Sequence, residues 1–219
     1  MVSTWINQVK DVKSRVYGMQ LAMNNPVPKL SLSHGQVLWV LSGGQPPSDW
    51  TRHQLRYLRQ LDVPFEESKR KPGRGNRFRY GYDELVEMGV ALYALRQRVR
   101  PRDVAFSLVK YRKDMKRQYR EAYEQQPPAA IEADWVKSRG QSIPMLANER
   151  FLRIHDRFSK QPGTIEMLGM DEVIKGLTPF DVVERYPGEV VRPLVPLTRV
   201  VLQLVAWAKE APELKPGRK

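Results

Sequence analysis

Apolar residues recur along this chain at helical spacings that are broken, at intervals, by proline and glycine. Trp5, Val9, Val12 and Val16 fall four, three and four residues apart, which predicts an amphipathic helix over about 4–23. Asn24-Asn25-Pro26-Val27-Pro28 ends it, because proline lacks an amide donor and biases the residue before it away from helix. Ser33 is placed to cap a short helix over about 34–41. Gly43-Gly44 and Pro46-Pro47 then force a turn, and Ser48 or Asp49 can cap a further helix to about Leu61. Residues 64–82, PFEESKRKPGRGNRFRYGY, lose the helical period. Arg77, Phe78, Arg79 and Tyr80 alternate charged with aromatic, as a strand does, beside a tip made by Pro72, Gly73 and Gly75.

Downstream, Asp83 is placed to cap a helix carrying Leu85, Met88, Leu92 and Leu95. After Pro101 a long helix is predicted over about 102–126, with Val104, Leu108, Tyr111 and Met115 on one stripe. Pro127-Pro128 closes it, and 127–142 reads as a linker. Beyond Ile143 the pattern predicts short helices, for example 144–159, 178–185 and 197–210, with short strands within 163–169 and 188–191. The predicted fold class is therefore mainly α: a helix-turn-helix with a small β-hairpin wing, a long connecting helix and a mostly helical C-terminal region. It divides into an N-terminal extension (1–29), a winged unit (30–110), a candidate dimerisation helix (102–126) and a C-terminal interaction or effector domain (143–219).

Charge sharpens this picture. The 219 residues carry 37 Lys and Arg against 24 Asp and Glu. Residues 52–120 hold 19 of those cations against 8 acids, so +11 of the net +13 lies in that stretch, while 121–219 is neutral. A basic segment beside a neutral one predicts a surface built for a polyanion, and nucleic acid is the leading choice. There is no Cys, which excludes disulfides, thiol catalysis and thiolate metal sites. The three His, at 34, 53 and 155, are far apart, so neither a metal nor a cofactor is expected. No nucleophile, metal set or carboxylate pair at usable spacing argues for an enzyme. The most apolar stretch, 194–208, is shorter than a spanning helix and contains Arg199, so no membrane partner is expected and the default compartment is the cytoplasm.

The candidate chemistry lies in DWTRHQLRYLRQL, residues 49–61. Leu55, Leu58 and Leu61 share one face; Thr51, Arg52, His53, Arg56 and Arg59 lie off it. A recognition helix requires this division, since its apolar side holds it to the domain while long donors reach the major groove. Arginine suits guanine edges and phosphate because its fork donates two parallel hydrogen bonds. Tyr57 can offer a hydroxyl to phosphate. Lys69, Arg70, Lys71, Arg74, Arg77 and Arg79 follow with no acid between them, on a glycine-tipped hairpin suited to the DNA backbone.

In order, TRHQLRYLRQLDV, a basic Gly-rich hairpin, RFRYGYDELVEM and RQRVRPRDVAFSLV resemble the DNA-binding domain of the MerR family over about residues 30–110. The resemblance implies a winged helix-turn-helix that binds duplex DNA as a dimer, usually to regulate transcription. Arg56 and Tyr57 match the family's helix positions that meet DNA, and Arg77 and Arg79 fall on its wing strand. Its metal sensors use Cys, which this chain lacks. The resulting expectation is a sequence-specific double-stranded DNA-binding regulator of a bacterial or phage nucleoid, working as a homodimer and able to contact RNA polymerase. The alternative is a DNA-bending architectural or excisionase-like recombination factor, which shares the small fold.

Overall fold

The structure is a computed structural model that describes residues 25–66, 79–126, 149–155, 163–169 and 194–212. The helix predicted over 4–23, the linker 127–142, the helix at 178–185 and the strand at 188–191 lie outside the described residues. Within them are six helices and a small three-stranded antiparallel sheet, so the fold is mainly helical.

Helix α1 (His34–Leu41) starts at Ser33, whose hydroxyl accepts from the Gln36 amide while the Gln36 side chain accepts from the Ser33 amide. Helix α2 (Asp49–Gln60) is capped by Ser48, which accepts the Thr51 amide at 3.2 Å. Between them Gly43 and Gly44 adopt φ of +63° and +73°, a region that glycine enters without steric penalty. Helix α3 (Tyr82–Arg96) begins two residues earlier than expected. Gly81, not Asp83, is its N-cap, with the Gly81 amide donated to Glu84 at 3.0 Å. Asp83 instead lies inside the first turn, buried and paired with Arg120 at 2.7 Å.

The single long helix predicted over 102–126 is two. Helix α4 (Pro101–Lys110) and helix α5 (Arg112–Glu124) meet at Tyr111, whose φ of −103° and ψ of 14° leave the helical region. The stripe expected to pair with a second copy faces this chain's own interior: Val104, Leu108 and Met115 are buried and Tyr111 packs against them. A tertiary anchor accounts for the break. Arg112 donates to both carboxylate oxygens of Glu87 on α3, at 2.8–3.1 Å, and to the Asp62 carbonyl in the turn after α2.

The C-terminal segment corrects the expectation most. The region predicted as helix over 144–159 contains strand β1 (Arg150–Ile154). It pairs antiparallel with β2 (Ile165–Gly169) and with β3 (Leu194–Val195), in the order β2-β1-β3. Leu152 and Ile154 alternate inward, while Arg153 pairs with Glu166 directly across the ladder at 3.1 Å. Helix α6 (Leu197–Glu210) matches its predicted span and packs on α3, α5 and α1. At its crossing with α3, Leu204 occupies the space a side chain on Gly89 would need. One continuous set of buried residues, from Leu32 to Ala208, therefore joins α1–α5 to the C-terminal segment. None of the described helices is long and apolar enough to cross a membrane.

Candidate nucleic-acid interface

Helix α2 is fixed from beneath. Leu55 and Leu58 are fully buried, each worth about 1.5–3 kcal/mol of burial. Trp207, on α6, seats over Gly44 and meets Trp39 edge-on at 5.6 Å, so the C-terminal helix braces the turn that sets the angle of α2. At the other end, Arg112 holds the Asp62 carbonyl, with Asp62 itself at φ 66°.

What remains outward on α2 beyond Asp49 and Trp50 of its first turn is polar, with two arginines. Arg52, His53 and Arg56 are exposed along one face, and Gln60 completes it. The Arg52 Nε donates to the Pro47 carbonyl at 3.2 Å, which draws that side chain back along the turn. Tyr57 and Arg59 are half-buried at its flanks. Thr51 does not join the set: it is 3% exposed, and its hydroxyl is shared with Ser48 at 3.0 Å. Its place at the third helical position turns it under the helix, where it completes the cap.

The face continues past both ends of α2. Burial pushes the Tyr80 hydroxyl pKa up and the Arg59 charge pulls it back, while Arg79, the residue before Tyr80, is exposed. Tyr80 exchanges two backbone hydrogen bonds of 2.9 Å with Leu32 and touches Phe65 at 5.1 Å between rings. Phe65 and Tyr80 stand on either side of residues 67–78 in the sequence and meet each other. Lys69, Arg70, Lys71, Arg74 and Arg77 lie outside the described residues. At the opposite end of α2, the Arg96 guanidinium sits 5.8 Å from the Trp50 ring centroid. Arg96, Arg98, Arg100 and Arg102 are all exposed around the turn that joins α3 to α4. This cluster was absent from the sequence-derived set. Its signal, four arginines at alternate positions in RQRVRPR, was present but entered only as part of the family resemblance.

Four other cations of the basic stretch pair with acids of this chain. Arg112 pairs with Glu87, Lys116 lies 3.7 Å from Glu84, Arg117 lies 3.8 Å from Glu121, and Arg120 pairs with Asp83. These pairs offset the repulsion along α5.

Compared with known proteins, the chain matches no family model, no curated protein sequence and no solved structure. Among the described residues no group of His and acidic side chains could hold a metal ion. At His155, Nε2 lies 3.3 Å from Glu166 and Nδ1 is buried without a partner.

Proposed function

We propose that this protein is a sequence-specific binder of double-stranded DNA, a transcription regulator of the MerR-like winged helix-turn-helix type. Helix α2 enters the major groove, and the basic wing proposed over Lys69–Arg79 follows the flanking backbone. One observation carries the reading: α2 is pinned from below by Leu55, Leu58 and its Ser48 cap, yet turns Arg52, His53 and Arg56 outward together. Twelve residues at 1.5 Å per residue make a rod of about 18 Å, a length suited to one groove crossing. The Leu32–Tyr80 bridge supports the wing, since it ties the hairpin base to the residue that precedes α1. The arginines at 96, 98, 100 and 102 add phosphate contacts beyond the N-terminal end of α2.

Equilibrium binding to duplex at several salt concentrations tests this. The affinity falls steeply with salt, and Arg74→Ala lowers the logarithmic slope by about one. A flat salt dependence would remove the proposal.

A second reading gains from one observation. The stripe Val104, Leu108, Met115 is internal, so it is unavailable for pairing two copies. A factor that bends duplex as one copy per site needs no such stripe. Sedimentation of the complex separates the two: two chains per site for the regulator, one for the bending factor.

A further inference from the structure

Three large apolar side chains stand exposed among the described residues: Trp50, Phe106 and Val109. Phe106 lies against Gly163 and, with Val109, on α4. Trp50 is different in position and surroundings. It is 41% exposed on the first turn of α2, three residues before His53 and seven before Tyr57. Helical spacing therefore lines Trp50, His53 and Tyr57 along one flank of the outward face, with Arg52, Arg56 and Arg59 along the other. Arg96 lies over the indole at 5.8 Å, so one side of the ring is covered and its orientation is held from another helix.

An exposed indole among cations is poorly matched to an apolar protein partner, which would desolvate Arg52 and Arg96 without replacing water. It is well matched to a polyanion that offers one apolar group. In the major groove that group is the thymine C5-methyl; every other base edge there presents donors or acceptors. We propose that Trp50 is a specificity-determining residue whose indole edge packs on a thymine methyl, with Arg96 as its positioning residue. The proposal rests on the reading of α2 as a groove-entering helix.

The test uses the full chain. Binding sites are selected from a random duplex library, and each thymine in the selected site is then replaced by uracil, which deletes only the methyl. At one thymine per α2 contact the wild type should weaken about four-fold, the worth of one buried methyl. Trp50→Ala should weaken binding to the selected site about ten-fold and bind the thymine and uracil forms equally. Trp50→Phe should restore part of the discrimination. Arg96→Gln should reduce the discrimination without abolishing duplex binding, a readout that a purely structural role for Arg96 would leave untouched. Thermal unfolding of each variant should match the wild type, because Trp50 and Arg96 both lie at the surface. Selected sites without a thymine, or a Trp50→Ala variant that still distinguishes thymine from uracil, would overturn the assignment while leaving DNA binding in place. A wild type that enriches no duplex at all would overturn both.

Discussion

Replacing Arg112 with Met should unfold the brace between α2 and the rest of the domain, and should do so in a pH-dependent way. Glu87 is 1% exposed, and Arg112 supplies three of its hydrogen bonds. Burial pushes the Glu87 carboxyl up to about 7, even though Arg112, and then Lys116, pull it down. The folded form thus holds this proton more tightly than the unfolded chain. Its contribution to stability is full below about 4.5 and is lost as pH rises through about 7, by about 3 kcal/mol. In Arg112→Met the carboxylate is stranded without its partner, which costs about 3–5 kcal/mol when it is ionised. That is a large share of the roughly 5–15 kcal/mol that holds a domain together. At pH 5 the buried carboxyl is protonated in both proteins and the loss shrinks to that of the hydrogen bonds, about 1–3 kcal/mol. Urea unfolding followed by circular dichroism at pH 5 and pH 8 measures both. Glu87→Gln should flatten the wild-type pH dependence, and the double variant should recover most of the loss at pH 8. An Arg112→Met deficit of equal size at the two pH values would refute this account of the Glu87 pair.

Two further outcomes follow from the turn and the cap. Gly44→Ala forces a side chain into a left-handed residue beneath the Trp207 ring, and should cost about 2–4 kcal/mol by denaturant unfolding, with Trp207→Ala relieving only the steric share. Thr51→Val removes the hydroxyl shared with Ser48 and should cost about 1 kcal/mol of stability, while DNA affinity measured on the folded fraction stays unchanged.

Much of the helix-turn-helix was legible because its signals are local. Ser33 and Ser48 cap the helices they precede, the Gly-Gly and Pro-Pro pairs mark the turn between them, and the α6 span follows from its own apolar run. The features that escaped depend on distant partners. Residues 150–154 read as helix because nothing within FLRI separates the two periods; β2 and β3 supply the ladder that decides. Tyr111 carries no glycine or proline, and the break there is set by the attachment of Arg112 to Glu87 and Asp62. Thr51 was placed off the leucine face, yet it stands four residues before Leu55 and seven before Leu58, so helical spacing puts it on that face and its burial follows. Arg52, His53 and Arg56 were visible as outward residues of α2 and Trp50 was not, and the pairing of Lys116, Arg117 and Arg120 with acids could not be foreseen from charge counts.

The central claim is that the outward face of α2, and not basic charge in general, meets DNA. Arg56 and Arg117 provide the contrast: both are exposed arginines, but Arg117 is 67% exposed beside Asp114 and Glu121 on its own helix. Duplex affinity at one fixed salt concentration should fall by about 1–3 kcal/mol in Arg56→Ala and stay unchanged in Arg117→Ala. Equal losses in the two variants, or none in either, would contradict the account.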